Sequence, residues 1–88
     1  MATVVLNDEA FLEVETLPLP VQKRMWNIIA RLENWPAVSG AKALGGGLAG
    51  CYRVRTGDYR LIFRATDRTA TATLTVVRMG HRKDVYDD

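Results

Sequence analysis

The sequence predicts an α+β fold in the order β-α-α-β-β-β, with a mostly antiparallel four-stranded sheet and a helical hairpin packed on one face. Three observations predict it: an apolar stripe at helical spacing between Val21 and Trp35, a period of two from Cys51 onward, and proline and glycine punctuation between these stretches. With 88 residues the chain has room for one domain, over 1–88, and one modest core.

Thr3–Leu6 is a short β-branched and apolar run, and Asn7 followed by Asp8 and Glu9 supplies an N-cap with acids in the first helical turn. The helix that follows is expected to reach about Thr16 with Phe11 and Val14 inward. Leu17-Pro18-Leu19-Pro20 breaks it, because proline donates no backbone hydrogen bond, and Pro20 can open the next helix. There Val21, Met25, Ile28, Ile29, Leu32 and Trp35 form one stripe against Lys23, Arg24, Arg31 and Glu33. So short a break makes the two helices an antiparallel hairpin. Residues 37–50 read as a glycine-rich loop, and Gly45-Gly46-Gly47 lacks the Gly-Lys-Ser/Thr ending of a phosphate-cradling loop.

Three strands follow, over 51–55, 59–65 and 69–78, with turns at Thr56-Gly57-Asp58 and Thr66-Asp67-Arg68. Successive side chains alternate between faces, so Tyr52, Val54, Tyr59, Leu61, Phe63, Ala70, Ala72, Leu74 and Val76 form one face. Arg53, Arg55, Arg60, Ile62, Arg64, Thr71, Thr73 and Thr75 form the other, an open face of arginine and threonine. A register with Tyr52 opposite Leu61 sets Arg53 opposite Arg60. Like charges facing one another cost stability, so such clustering points to an anionic ligand, and arginine forks suit phosphate. Charge along the chain agrees: residues 1–39 hold three cations against five acids, a net −2, whereas 40–88 hold nine against five, a net +4. After the last strand, Gly80 permits a sharp turn that sets the single histidine, His81, beside Arg82, Lys83 and Tyr86.

Cys51 is alone, which excludes an internal disulfide and fits a reducing cytosol. No apolar run approaches a membrane span and Met1 to Leu6 is too short for a signal peptide, so the chain is expected to be soluble and cytoplasmic, with no membrane partner. No metal-ligand spacing or cofactor motif is visible.

The stretches Leu48-Ala49-Gly50-Cys51-Tyr52-Arg53-Val54-Arg55, Gly57-Asp58-Tyr59-Arg60-Leu61-Ile62-Phe63 and Arg78-Met79-Gly80-His81-Arg82-Lys83-Asp84-Val85-Tyr86 resemble the RelE branch of the RelE/ParE toxin superfamily. The match is close over the C-terminal half, whereas the N-terminal half agrees in element order alone. The resemblance implies a type II toxin that enters the ribosomal A site, cleaves messenger RNA there, and is neutralised by a cognate antitoxin, the two together able to bind promoter DNA. It places functional positions at Arg53, Arg55, Arg60, Arg82 and Tyr86. Arginines stand where lysines occupy the second strand of better-known members, and histidine precedes Arg82. Arginine is effectively always protonated, so these positions can stabilise charge but cannot serve as bases.

The implied reaction is metal-free: the ribose 2′-hydroxyl attacks the adjacent phosphate and expels the 5′-oxygen. Arg53, Arg55, Arg60 and Lys83 are expected to hold phosphate, with Arg60, His81, Arg82 and Tyr86 catalytic. Histidine is suited to proton transfer near neutrality, and a tyrosine among cations can act as base or stack on a base. Two alternatives stand beside this reading: a ParE-like inhibitor of DNA gyrase, and a non-catalytic nucleic-acid-binding or regulatory module. Against the second, no aromatic falls on the open face. If the arginine face holds RNA, replacing Arg53 and Arg55 together by glutamine flattens the salt dependence of ribosome binding by about 0.7 log units per lost contact. A salt titration in which the double variant keeps the parent slope places the RNA elsewhere.

Overall fold

The computed structural model describes residues 1–85 and has nine elements: β1 (Thr3–Leu6), α1 (Asp8–Glu15), α2 (Leu19–Arg31), a 3₁₀ turn (Leu32–Asn34), β2 (Lys42–Ala43), a second 3₁₀ turn (Gly46–Leu48), β3 (Cys51–Thr56), β4 (Tyr59–Ala65) and β5 (Thr73–His81). The five strands form one sheet in the order β1-β5-β4-β3-β2, in which β1 runs parallel to β5 and every other pairing is antiparallel. The α+β class is as expected. The additional strand, β2, comes from the segment expected to be loop: two residues carry no readable period, yet they pair with Arg53 and Tyr52 along the outer edge of β3.

Asn7 caps α1 by accepting from the Ala10 amide at 2.8 Å. The helix buries Ala10 and Val14, four residues apart, and leaves Phe11 49% exposed, so the expectation of an inward Phe11 is corrected. Its position, one residue past the buried stripe, turns it about 100° away from the sheet. Gln22 bridges the break between helices by donating to the Leu17 carbonyl at 3.0 Å. The α2 stripe falls as its spacing requires, with Val21, Met25, Ile28, Leu32 and Trp35 buried and Ile29 half-buried.

The turn between β3 and β4 has two residues rather than three, because Thr56 pairs with Tyr59 and Gly57, at φ +60°, takes the first loop position. This moves the register by two from the one expected. Tyr52 faces Phe63, Val54 faces Leu61, Arg53 faces Ile62, and the like-charge pair is Arg55 with Arg60. A shift of two leaves every side chain on its expected face.

β5 begins at Thr73, and Ala70 is exposed in the connection rather than inward. That connection is tied locally: Asp67 accepts from the Thr69 amide and hydroxyl, which holds its carboxyl below the usual value, while its carbonyl accepts from the Trp35 indole at 2.8 Å. Where Ile62 faces Arg78 and Phe63 faces Val76, Val77 is left as a bulge. The extra residue reverses the alternation, so Leu74 and Val76 are buried before it and Met79 after it. β1 ends opposite Val76, and beyond it the edge of β5 is closed by Glu13, which accepts from the Met79 amide and the Arg78 guanidinium, both at 2.9 Å.

The main core lies between helices and sheet, with Trp35, Tyr52 and Phe63 in mutual ring contact. A second, smaller cluster sits on the opposite face: Cys51, Ile62 and Val85 are buried, with Leu44, Leu48 and Val77 packed around them. The open face is therefore not arginine and threonine alone but cations around an apolar patch. The turn after β5 folds back over this face, and a Cβ on Gly80 would stand 2.8 Å from Val85 Cγ2. Gly80→Ala should consequently destabilise the protein by about 1–3 kcal/mol through overpacking, read as a lower denaturant midpoint with unchanged m-value.

Candidate RNA-binding face

Three strands and one turn position the cations. β3 carries Arg53 and Arg55 and β4 carries Arg60 and Arg64 on the face away from the helices, with Arg55 directly opposite Arg60. Arg53 stands between Ile62 on β4 and Lys42 on β2. Arg55 is exposed, and Arg53 and Arg60 are half-buried. Across from Arg60 on β5 is Gly80, which brings no side chain to that position. The Arg82 amide donates to the Asp58 carbonyl at 2.8 Å, which ties the Arg82 backbone to the β3–β4 tip, and its exposed side chain brings Nε to 4.0 Å from an Asp58 carboxylate oxygen. Lys83 is exposed on the same turn.

His81 is placed differently. It pairs with Tyr59, whose ring it meets edge-on at 5.2 Å, and both line a pocket of about 260 Å³ with Glu13, Leu17, Met79 and Asp84. That pocket opens on the helical side of the sheet. His81 also organises its own turn: its carbonyl accepts from the amides of Asp84 and Val85, and Nδ1 accepts from the Lys83 amide at 3.1 Å. The structure thus brings together Arg53, Arg55, Arg60 and Arg82 but not His81 with them, and Tyr86 lies outside the described residues. Sequence reasoning missed Arg24, which reaches from α2 to the same hairpin tip. Its helical spacing reads simply as a solvated face, and no local signal marks it.

A helical hairpin on a sheet whose opposite face gathers guanidiniums defines a class: a toxin of the RelE-like branch of the RelE/ParE superfamily. A family model described as ParE toxin of the type II toxin-antitoxin system parDE matches residues 11–86, and the chain belongs to that family. Among solved structures, a chain of the toxin-antitoxin complex RelBE2 from Mycobacterium tuberculosis is 28% identical, with 91% of this chain and 90% of that chain covered and a TM-score of 0.75. A chain of the RelB-RelE antitoxin-toxin complex from Methanococcus jannaschii is 23% identical over 94% of this chain and 95% of that one, at a TM-score of 0.74. The YoeB/ParE toxin from Agrobacterium tumefaciens is 19% identical over 90% and 96%, also at 0.74, and shares the fold. No curated protein matches the sequence.

Arg55 and Arg60 form a like-charge cross-strand pair, an arrangement that costs stability and that a bound anion would offset, so the two effects can be separated experimentally. Arg55→Thr should stabilise the folded protein by about 0.5 kcal/mol, by removing a like-charge cross-strand pair, and weaken RNA binding. Denaturant unfolding and ribosome binding measured on one preparation check both; a destabilised variant would mean the pair is not repulsive.

Proposed function

We propose that this type II toxin is a ribosome-dependent endoribonuclease that cleaves messenger RNA in the A site and so inhibits translation. The observation that carries this reading is the set of guanidiniums around one hairpin tip, with Arg55 facing Arg60 and Arg82 tied beside them through Asp58. The ribose 2′-oxygen attacks phosphorus and the bond from phosphorus to the 5′-oxygen breaks, leaving a 2′,3′-cyclic phosphate and a 5′-hydroxyl. One proton leaves the 2′-hydroxyl and one reaches the departing oxygen. Arg55, Arg60 and Arg82 stabilise the charge that builds on the phosphate, with Arg53 and Lys83 holding flanking phosphates. The side of the sheet on which His81 stands favours a role in fixing the turn that presents Arg82 over proton transfer at the phosphate. Tyr86 is assigned the proton transfer from the 2′-hydroxyl, and solvent water supplies the proton that reaches the departing 5′-oxygen.

A cognate antitoxin follows from the family and from the antitoxin complexes among its structural relatives. It neutralises the toxin by covering the arginine face, and the pair binds promoter DNA. The cytoplasm is the compartment this activity requires, and no helix among the described residues is long and apolar enough to cross a membrane.

A second reading, inhibition of DNA gyrase, is favoured by the ParE description of the matching family. Mapping transcript ends in a cell-free translation reaction, beside a gyrase supercoiling assay, separates the two. Within the first reading, Arg82→Ala should slow single-turnover cleavage on programmed ribosomes about 10²–10³-fold, the usual cost of one positioned transition-state donor, with folding nearly unchanged. A folded Arg82→Ala protein that cleaves at the parent rate removes the catalytic assignment.

A further inference from the structure

The cationic surface does not stop at the edge of the sheet. Arg24 of α2 donates from Nε to the Thr56 hydroxyl at 2.9 Å, and a terminal nitrogen of its guanidinium lies 4.0 Å from where a Cβ would stand on Gly57. Thr56 pairs with Tyr59, whose ring packs against the main core, so Arg24 lies along the hairpin turn on the helical side. Arg55 and Arg60 flank the same turn on the other side, and Arg82 reaches it through Asp58. Four guanidiniums from α2, β3, β4 and the last turn therefore surround one two-residue loop whose carboxylate is Asp58.

Packing does not account for Arg24. Its side chain is exposed, and among the described residues its one hydrogen bond is through Nε, which leaves the two terminal nitrogens without a hydrogen-bond partner there. Gly57 adds no side chain between Arg24 and the arginines beyond the turn, so a polyanion can pass close to the backbone there. A single strand is the polyanion that fits, because its flexible backbone can bend over a hairpin tip while cations track it from one side to the other.

Building on the reading of the arginine face as the RNA-cleaving site, we infer that Arg24 is a further RNA-binding residue, gripping the backbone phosphate of the strand as it leaves that face over the hairpin tip. Thr56 is its positioning residue. Standing across the turn from Arg55 and Arg60, Arg24 holds a flanking phosphate and does not touch the reacting one, so it contributes to binding and not to the chemical step.

The test is single-turnover cleavage on programmed ribosomes across toxin concentration and salt. Arg24→Gln should raise the half-saturating toxin concentration about fivefold, the scale of one solvent-exposed charge contact, and reduce the salt slope by about 0.7 log units, with the saturated rate unchanged. Arg24→Lys should keep the salt slope, and Thr56→Val should move half-saturation in the same direction by less. Arg31→Gln removes the same charge about two turns along α2 and should change none of these. Thermal midpoints establish that each variant is folded. If Arg24→Gln matches the parent in half-saturation and salt slope while Arg82→Ala still slows cleavage, the inference about Arg24 is overturned and the cleavage reading stands. If Arg24→Gln lowers the saturated rate alone, the flanking role is overturned. A parent protein that neither cleaves nor binds programmed ribosomes in a salt-dependent way overturns the cleavage reading and the role of Arg24 together.

Discussion

The positive φ of Gly57 lets β3 turn into β4 with two loop residues, and that closure decides which side chains stand opposite one another. With Thr56 paired to Tyr59, the ladder sets Val54 against Leu61 and Tyr52 against Phe63 in the core, and on the far side it sets Arg55 against Arg60. The same loop offers the Asp58 carbonyl to the Arg82 amide and the Thr56 hydroxyl to Arg24. Core packing and the gathering of cations therefore share one geometric cause. A change in loop length would disturb both, because a strand shifted by one residue exchanges its two faces.

What holds the second face together is a compromise between charge and burial. Clustered guanidiniums repel, yet the strands bearing them also bring Cys51 and Ile62 under cover, with Leu44, Leu48, Val77 and Val85 closing the patch. The apolar patch anchors the segments around the cations without neutralising them. Glu13 acts along the edge of β5, where one carboxylate satisfies a strand amide beyond the reach of β1 and pairs with the Arg78 guanidinium.

Much of this was legible in the sequence, and the reasons differ by element. Alternation over β3 and β4 assigned Arg53, Arg55, Arg60 and Arg64 to one face correctly even though the register was off by two, since period-two faces survive an even shift. The spacing of Val21, Met25, Ile28 and Leu32 placed α2 for the same kind of reason. Legibility failed where tertiary contacts decide. The Val77 bulge reverses the inward set without any glycine or proline to announce it, β2 exists because β3 offers a free edge, and Phe11 faces out because Ala10 and Val14 fill the contact. At the site, proximity in sequence misled: His81 and Arg82 are neighbours in the chain, yet a strand end sends one to the helical side and the other to the hairpin tip. Arg24, 32 residues before Thr56, was invisible because its partner lies across the fold.

The parallel pairing of β1 with β5 joins the first strand of the chain to the last, from Thr3 opposite Thr73 to Leu6 opposite Val76. Between them lies most of the chain, so the contact spans a large sequence separation and its loop-closure entropy is met late in folding. During synthesis, which proceeds from the N-terminus, β1 has no partner until residues 73–76 have been made. The helices and the β3–β4 hairpin are local and can form earlier, but the edge that Glu13 seals, and the last turn that carries Arg82, are completed together with β5. The order of synthesis thus places completion of the tip that carries Arg82 after β5, behind the helices and the β3–β4 hairpin.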